Sequence, residues 1–265
     1  MKLLKICFTI VTDFLEAKVL QKLSLEPTNK LSRRLLDFLG RNHVTQSVAK
    51  NGDVLVEHIN GCLLLCDRNE EAQIEVIKNR TFSPHIIAAV QSFIRPDTMF
   101  IDVGAHCGTI SIPIAAKNPS TKVIAVEPQI DLIKRLKQNK SLNGLKNLKI
   151  EPIALAEETG ELKLLLPKRD DGTIIQGLVG KISKKYLDSH LTRIVPKSTI
   201  DALKISENMK QVSVIKIDTQ GFELDILRGA INVISKDRPA LIIEIEDYIL
   251  EKPSSNRNAL KIFLQ

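Results

Sequence analysis

Phe100-Ile-Asp-Val-Gly-Ala-His-Cys-Gly108 runs from an apolar β-branched stretch straight into a glycine-bearing loop. That pattern ends a strand and opens a helix. Gly104 and Gly108 permit a tight turn and a close backbone approach to a ligand at the helix N-terminus. Glu127 closes the next apolar run, Lys122–Val126, and stands 19 residues beyond Gly108. An acidic residue about 20 positions on is placed to accept hydrogen bonds from a ribose diol. A nucleoside-containing cofactor is the expectation; a loop that merely turns the chain is the alternative.

Charge decides between cofactors. A dinucleotide rests its pyrophosphate on such a loop, where the second position is normally glycine. Here it is Ala105, and Asp102 closes the strand just before. A carboxylate there repels phosphate and attracts the ammonium and sulfonium of S-adenosylmethionine, which is therefore expected over NAD.

Outward from the loop, apolar runs recur at Met99–Val103, Lys122–Val126, Leu148–Leu155, Val212–Ile217 and Ala240–Ile245. Helical spacing lies between most of them, notably at Ile130–Asn143 and Gly221–Ser235. Such alternation predicts an α/β fold, a mostly parallel Rossmann-like sheet with helices on both faces. Residues 81–265 are expected to form this domain, with an insertion at about 160–197. Residues 1–80 form a lead-in: helical spacing to about Leu39, then β-like runs around Asn51-Gly52 and Asn60-Gly61, the strongest short hairpin signal. Residues 71–94 return to helical spacing with a break at Ser83-Pro84.

Four segments carry a resemblance: Phe100–Gly108, Val123-Ile-Ala-Val-Glu-Pro128, Lys216-Ile-Asp-Thr-Gln-Gly-Phe-Glu223 and Leu241-Ile-Ile-Glu244. With Ser198-Thr-Ile-Asp201 and Leu227-Arg-Gly-Ala230, they resemble the FkbM-type family of S-adenosylmethionine-dependent methyltransferases. The resemblance implies the class I methyltransferase fold and an acceptor hydroxyl on a sugar, glycan or related metabolite. It implies that Asp102, Gly104, Ala105 and Gly108 surround the methionine part of the cofactor. Glu127 and Pro128 then lie at the ribose, and Ala154 by the adenine. Ligands of open parallel sheets do bind at the carboxyl ends of the strands, where these residues fall.

A hydroxyl acceptor must lose a proton. Asp218, at the end of Val212–Ile217, is the first candidate for general base or acceptor-orienting group, and His106 in the loop is the second. Glu223 joins them as a catalytic candidate; its alternative is to favour the N-terminal turn of its own helix. Asp218, Glu223 and Glu244 together are also a candidate set for a divalent cation. His106 has packing beneath the loop as its alternative.

The 265 residues carry a formal charge of +7, with 4% aromatics and no Trp. Few aromatic faces argue against nucleic acid as the partner, although the positive charge keeps a nucleic-acid methyltransferase in view. The insertion from Lys163 to Lys197 holds eight basic against three acidic side chains, which suits an acidic acceptor. No apolar run reaches the roughly 18–20 residues of a membrane span. Cys7, Cys62, Cys66 and Cys107 form no disulfide framework, the N-terminus reads as no signal peptide, and a cytoplasmic protein is expected. Two departures from the family pattern stand out. Thr81-Phe-Ser-Pro84 carries no acidic residue where family members usually have one. The chain stops at Ile262-Phe-Leu-Gln265, so the fold's C-terminal strand pair is expected to be incomplete. The competing function is accordingly a catalytically silent, truncated binding protein of the same fold.

Overall fold

The computed structural model describes residues 47–48, 53–167, 190–206, 210–219 and 221–244. The helical spacing before residue 40, the Asn51-Gly52 turn, Cys7, His43, residues 168–189 of the insertion and everything after Glu244 lie outside the described residues. The expectation about the terminal strand pair falls there too.

A short antiparallel meander comes first: β1 (Ser47–Val48), β2 (Val54–Glu57) and β3 (Leu63–Cys66). Asn60-Gly61 turns β2 into β3, with Gly61 in the left-handed region at φ +83°. Helix α1 (Glu71–Asn79) and helix α2 (Pro84–Phe93) follow, separated where the sequence predicts a break. Pro84 starts α2, the one place where its missing N–H costs nothing.

Then strand and helix alternate: β4 (Met99–Val103), α3 (Ser111–Lys117), β5 (Lys122–Val126), α4 (Ile130–Leu142) and β6 (Leu148–Glu151). The run expected at Leu148–Leu155 breaks at Pro152, which cannot donate to a ladder. Its remainder, β7 (Ala154–Leu155), joins a second sheet with β8 (Gly160–Pro167) and β9 (His190–Ser198), in the order β7-β9-β8. The described arms of the insertion are thus a paired hairpin. Helix α5 (Ile200–Ser206), β10 (Val212–Ile217), α6 (Glu223–Arg228), α7 (Ile231–Asp237) and β11 (Ala240–Ile243) complete the described chain.

The central sheet has the order β11-β10-β4-β5-β6, and every neighbouring pair in it is parallel. β4 and β10 are buried along their whole length. Phe100, Val123, Ala125, Val214 and Ile242 face one core, Met99, Ile101, Ile124, Ile215 and Leu241 the other. The first core is shared with the meander, α1 and α2 through Val56, Leu64, Val76 and Val90; the second is closed by α5, α6 and α7. Strand order reverses beside β4, so the crevice at the carboxyl end of the sheet opens there. Among the described residues no helix is long and apolar enough to cross a membrane.

Asn139 of α4 and Asn143, the residue that caps its C-terminus, bind the meander to the domain. Leu63 N–H donates to Asn143 Oδ1 and Leu65 N–H to Asn139 Oδ1, both at 2.7 Å. The Asn143 amide returns a bond to Leu63 O at 2.7 Å, and that of Asn139 donates to Cys107 O at 3.0 Å. The free edge of β3 is thereby paired as though by another strand, which removes an open edge. Replacing the fully buried Asn139 by Leu keeps its size and orphans Leu65 N–H and Cys107 O. Urea denaturation of Asn139→Leu is expected to show a loss of roughly 2–4 kcal/mol.

Candidate active site

The loop after β4 is held by its own amides. Gly104 and Ala105 N–H both donate to Val126 O at 3.0 Å, and Gly108 N–H donates to Ala105 O at 2.9 Å. His106 N–H donates to Glu127 Oε2 at 3.0 Å, while Gln129 N–H donates to Glu127 Oε1 at 2.9 Å. Gly104 (φ +75°) and Gly108 (φ +92°) are in the left-handed region, but the close approaches they permit are to the protein itself. A Cβ on Gly104 would sit 1.9 Å from the Asp218 carbonyl oxygen, and one on Gly108 2.5 Å from Leu136 Cδ1. Ala105 points into the first core.

Beneath the loop lies an ion cluster. Lys216 is the residue of β10 directly opposite Asp102 of β4 in the parallel register. Its Nζ lies 3.2 Å from Asp102 Oδ1, 3.2 Å from Asp218 Oδ2 and 3.2 Å from Gly104 O. Asp102 is fully buried, and its Oδ2 accepts from the Ser111 hydroxyl at 2.5 Å. Burial works against the Lys216 charge, but Asp102, Asp218 and Glu244 outweigh it and hold its pKa above the usual range. Burial likewise works against the Asp218 charge, and Lys216 overrides it, leaving that carboxyl below its usual pKa. Asp218 keeps 26% of its side chain exposed, so a net negative charge faces the crevice.

Glu127 differs. It is buried beside two N–H donors with no ion pair among the described residues, and burial pushes its pKa up to about 7 against the lowering effect of those donors and of Lys216. Pro128 follows it, half-buried. Glu223 is occupied elsewhere: its carboxylate accepts from Gly221 N–H at 3.0 Å and from Thr219 N–H and hydroxyl at 3.3 Å. It fastens the turn between β10 and α6 through these bonds. Among the described residues no group of three or more His, Cys, Asp or Glu side chains is arranged to hold a metal ion.

The structure therefore brings Asp102, Gly104, His106, Glu127 and Asp218 together. Ala154 belongs to the second sheet, where it pairs with Lys197 of β9. Two participants were not assigned from sequence. Lys216 is a lone charge in an apolar central strand, as Asp102 is in β4; opposite charges in two such strands signal a cross-strand pair. Glu70, the cap residue of α1, reaches His106 from the N-terminal side. Of the insertion's cations, Lys197 pairs with Glu158 at 3.0 Å and Arg193 with Asp131 at 3.9 Å. Arg135 of α4 pairs with Asp53 at 2.7 Å.

The sequence pattern of the FkbM methyltransferase domain matches residues 102–263. The chain belongs to that family. It is 23% identical over 145 residues to Methyltransferase 1 of Beauveria bassiana (strain ARSEF 2860), covering 50% of this chain and 58% of that protein. It is 26% identical over 159 residues to Methyltransferase sdnD of Sordaria araneosa, covering 51% of this chain and 61% of that protein. The chain thus spans about three-fifths of the length of these curated relatives. A precorrin-6Y C5,15-methyltransferase from Geobacter metallireducens GS-15 superposes with a TM-score of 0.41 at 12% identity, covering 76% of each chain. The family's remaining motifs have a packing role here. Gly229 of Leu227-Arg-Gly-Ala230 accepts from Asp201 N–H at 3.0 Å, and a Cβ on it would lie 2.2 Å from Ala156 O. Asp201 in turn caps α7 through Asn232 and Val233 N–H.

Lys216→Met would strand the buried Asp102 carboxylate. Urea denaturation at neutral pH is expected to show a loss of about 3–5 kcal/mol. Asp102→Asn added to Lys216→Met removes the stranded charge and is expected to recover most of it.

Proposed function

We propose that this protein is an S-adenosylmethionine-dependent O-methyltransferase acting on a hydroxyl of a sugar, glycan or related metabolite. One observation carries the choice of cofactor: the amides of Gly104, Ala105, His106 and Gly108 are all spent inside the chain. A pyrophosphate needs such amides free, and these four offer it no donor. A cofactor carrying positive charge instead meets the exposed part of Asp218, and the ribose meets Glu127, whose oxygens each retain a lone pair. Bound there, S-adenosylmethionine supplies an electrophilic methyl group.

The chain's own residues do the rest. Asp218, kept ionised by Lys216, orients the acceptor by taking its hydroxyl hydrogen bond and favours positive charge nearby. The Lys216 ammonium fixes both Asp218 and the loop carbonyl of Gly104, so the two sides of the crevice keep one spacing. In this reading residues 81–265 form the methyltransferase domain, preceded by 1–80. A cytoplasmic setting agrees with Cys62, Cys66 and Cys107 being buried free thiols. An acidic acceptor rests on the cations of the insertion.

Isothermal calorimetry tests the cofactor site. S-adenosylhomocysteine and S-adenosylmethionine are expected to bind in the micromolar range and NAD not at all; a folded chain that binds neither overturns the proposal. The pH dependence has a definite sign. Glu127 is protonated below about 7 and must ionise to accept both ribose hydroxyls. Affinity for S-adenosylhomocysteine is expected to rise by up to about tenfold per pH unit below 7 and level off above it. Glu127→Gln is expected to be weaker at all pH values and to lack this slope.

A further inference from the structure

Glu244 stands beside Asp218 at the carboxyl end of the sheet. In the parallel register Ile243 of β11 is opposite Ile217 of β10, so the next residues, Glu244 and Asp218, leave the two strands side by side. The Glu244 N–H donates to Ile217 O at 2.9 Å, which fixes its backbone there. Its side chain is within hydrogen-bond reach of the Asp218 carboxylate. Asp218 is half-buried and Glu244 exposed, so the pair is open to solvent at the strand ends.

Strand order gives the pair a side. Glu127 follows β5, the glycine loop follows β4, Asp218 follows β10 and Glu244 follows β11, and these strands are neighbours in that order. In the proposed complex the ribose is at Glu127 and the acceptor hydroxyl at Asp218. Glu244 therefore lies one strand beyond the reacting hydroxyl, on the side away from the cofactor. Ionised carboxylates only accept hydrogen bonds, and two together repel one another unless cations or donors approach them. From the buried side Lys216 does this: its ammonium is 3.2 Å from Asp218, and Asp102, Asp218 and Glu244 all favour its charge. On the open side, two adjacent acceptors match two adjacent donors.

We infer that Glu244 is a specificity-determining residue: it accepts the hydrogen bond of a second hydroxyl, on the carbon next to the one whose oxygen is methylated, so that the acceptor is a vicinal diol held across Asp218 and Glu244. The inference rests on the proposed O-methyl transfer and deepens it by narrowing the acceptor. Asp218, whose carbonyl is packed against Gly104 of the loop, takes the reacting hydroxyl. Glu244 takes its neighbour and so decides which of the two faces the methyl donor. An acceptor that lacks the neighbouring hydroxyl, or carries it already methylated, forfeits one bond to a charged group.

The test is saturation-transfer NMR of the full chain saturated with S-adenosylhomocysteine. The probes are methyl hexopyranosides of gluco, galacto and manno configuration, with their monodeoxy and mono-O-methyl derivatives. In the wild type at least one parent glycoside is expected to bind, and removal of either of two neighbouring hydroxyls is expected to weaken it about tenfold or more. In Glu244→Ala only one of those two hydroxyls is expected to matter still. The inference is overturned by a wild-type complex that binds none of the glycosides, by one in which no two neighbouring hydroxyls matter, or by Glu244→Ala retaining both dependences. An aminodeoxy glycoside that outcompetes its parent through Glu244 assigns the residue to an ammonium group and overturns it too. A thermal scan shows whether Glu244→Ala folds; where it does not, the wild-type comparison decides. Failure of the cofactor reading shows separately, as absent S-adenosylhomocysteine binding before any glycoside is added.

Discussion

A lysine ammonium buried inside a parallel sheet needs opposite charge and acceptors close by. Lys216 donates to Gly104 O and forms ion pairs with Asp102 and Asp218, one from the neighbouring strand and one from its own strand end. Each partner then becomes immovable. Asp102 cannot turn away without stranding a charge, and Gly104 cannot lift without costing the ammonium a partner. The geometry of the crevice follows from this one buried cation. The Cβ-free approach of Gly104 to the Asp218 carbonyl is what lets the two strand ends come together around it.

The same demand for satisfied backbone explains elements that carry no chemistry. Asn139 and Asn143 finish the edge of β3, and Asn147 Nδ2 lies within 3.0–3.1 Å of Ala115 O, Asn118 O and Thr121 O. Asp201 and Gly229 lock α5, α7 and the start of the second sheet into one joint. Asn139 is polar and fully buried, and Asn143, Asn147 and Asp201 are half-buried, where sequence patterning alone assigns such side chains to the surface. Their positions in the helix register betray them: Asn139 and Asn143 are one turn apart on the face that also carries Leu132 and Leu136.

Strand positions were legible because continuous apolar β-branched runs have few other uses, and β4, β5 and β10 occupy the expected residues. The two runs that came apart did so for local reasons. Pro152 interrupts Leu148–Leu155, and Gly229, pressed against Ala156 O, divides the expected Gly221–Ser235 helix into α6 and α7. The loop, Glu127 and Asp218 announced themselves by motif and spacing. Lys216 and Glu70 did not, because each matters through a partner more than a hundred or some thirty-five residues away. A pair of opposite charges in two otherwise apolar strands was present in the sequence, but only the register that sets Asp102 against Lys216 gives it meaning. Glu223 shows the converse: its motif is informative, yet the carboxylate serves the backbone of the turn.

The site contains two buried carboxylates treated in opposite ways, and the contrast says which one awaits a ligand. Asp102 has a cation and a hydroxyl, and its charge is balanced within the chain. Among the described residues Glu127 accepts from two amides, and burial raises its pKa to about 7, a displacement of about 3 kcal/mol against the charged form. A carboxyl raised in this way lowers stability as pH climbs from its unfolded value through 7, so the fold bears a cost at neutral pH that it could avoid with a glutamine. Two further hydrogen bonds from a diol offset such a cost, since donors to a charged acceptor contribute about 1.5–3 kcal/mol each. The carboxylate whose burial is left uncompensated among the described residues is the one suited to an incoming donor, which is the argument for the proposed ribose contact at Glu127.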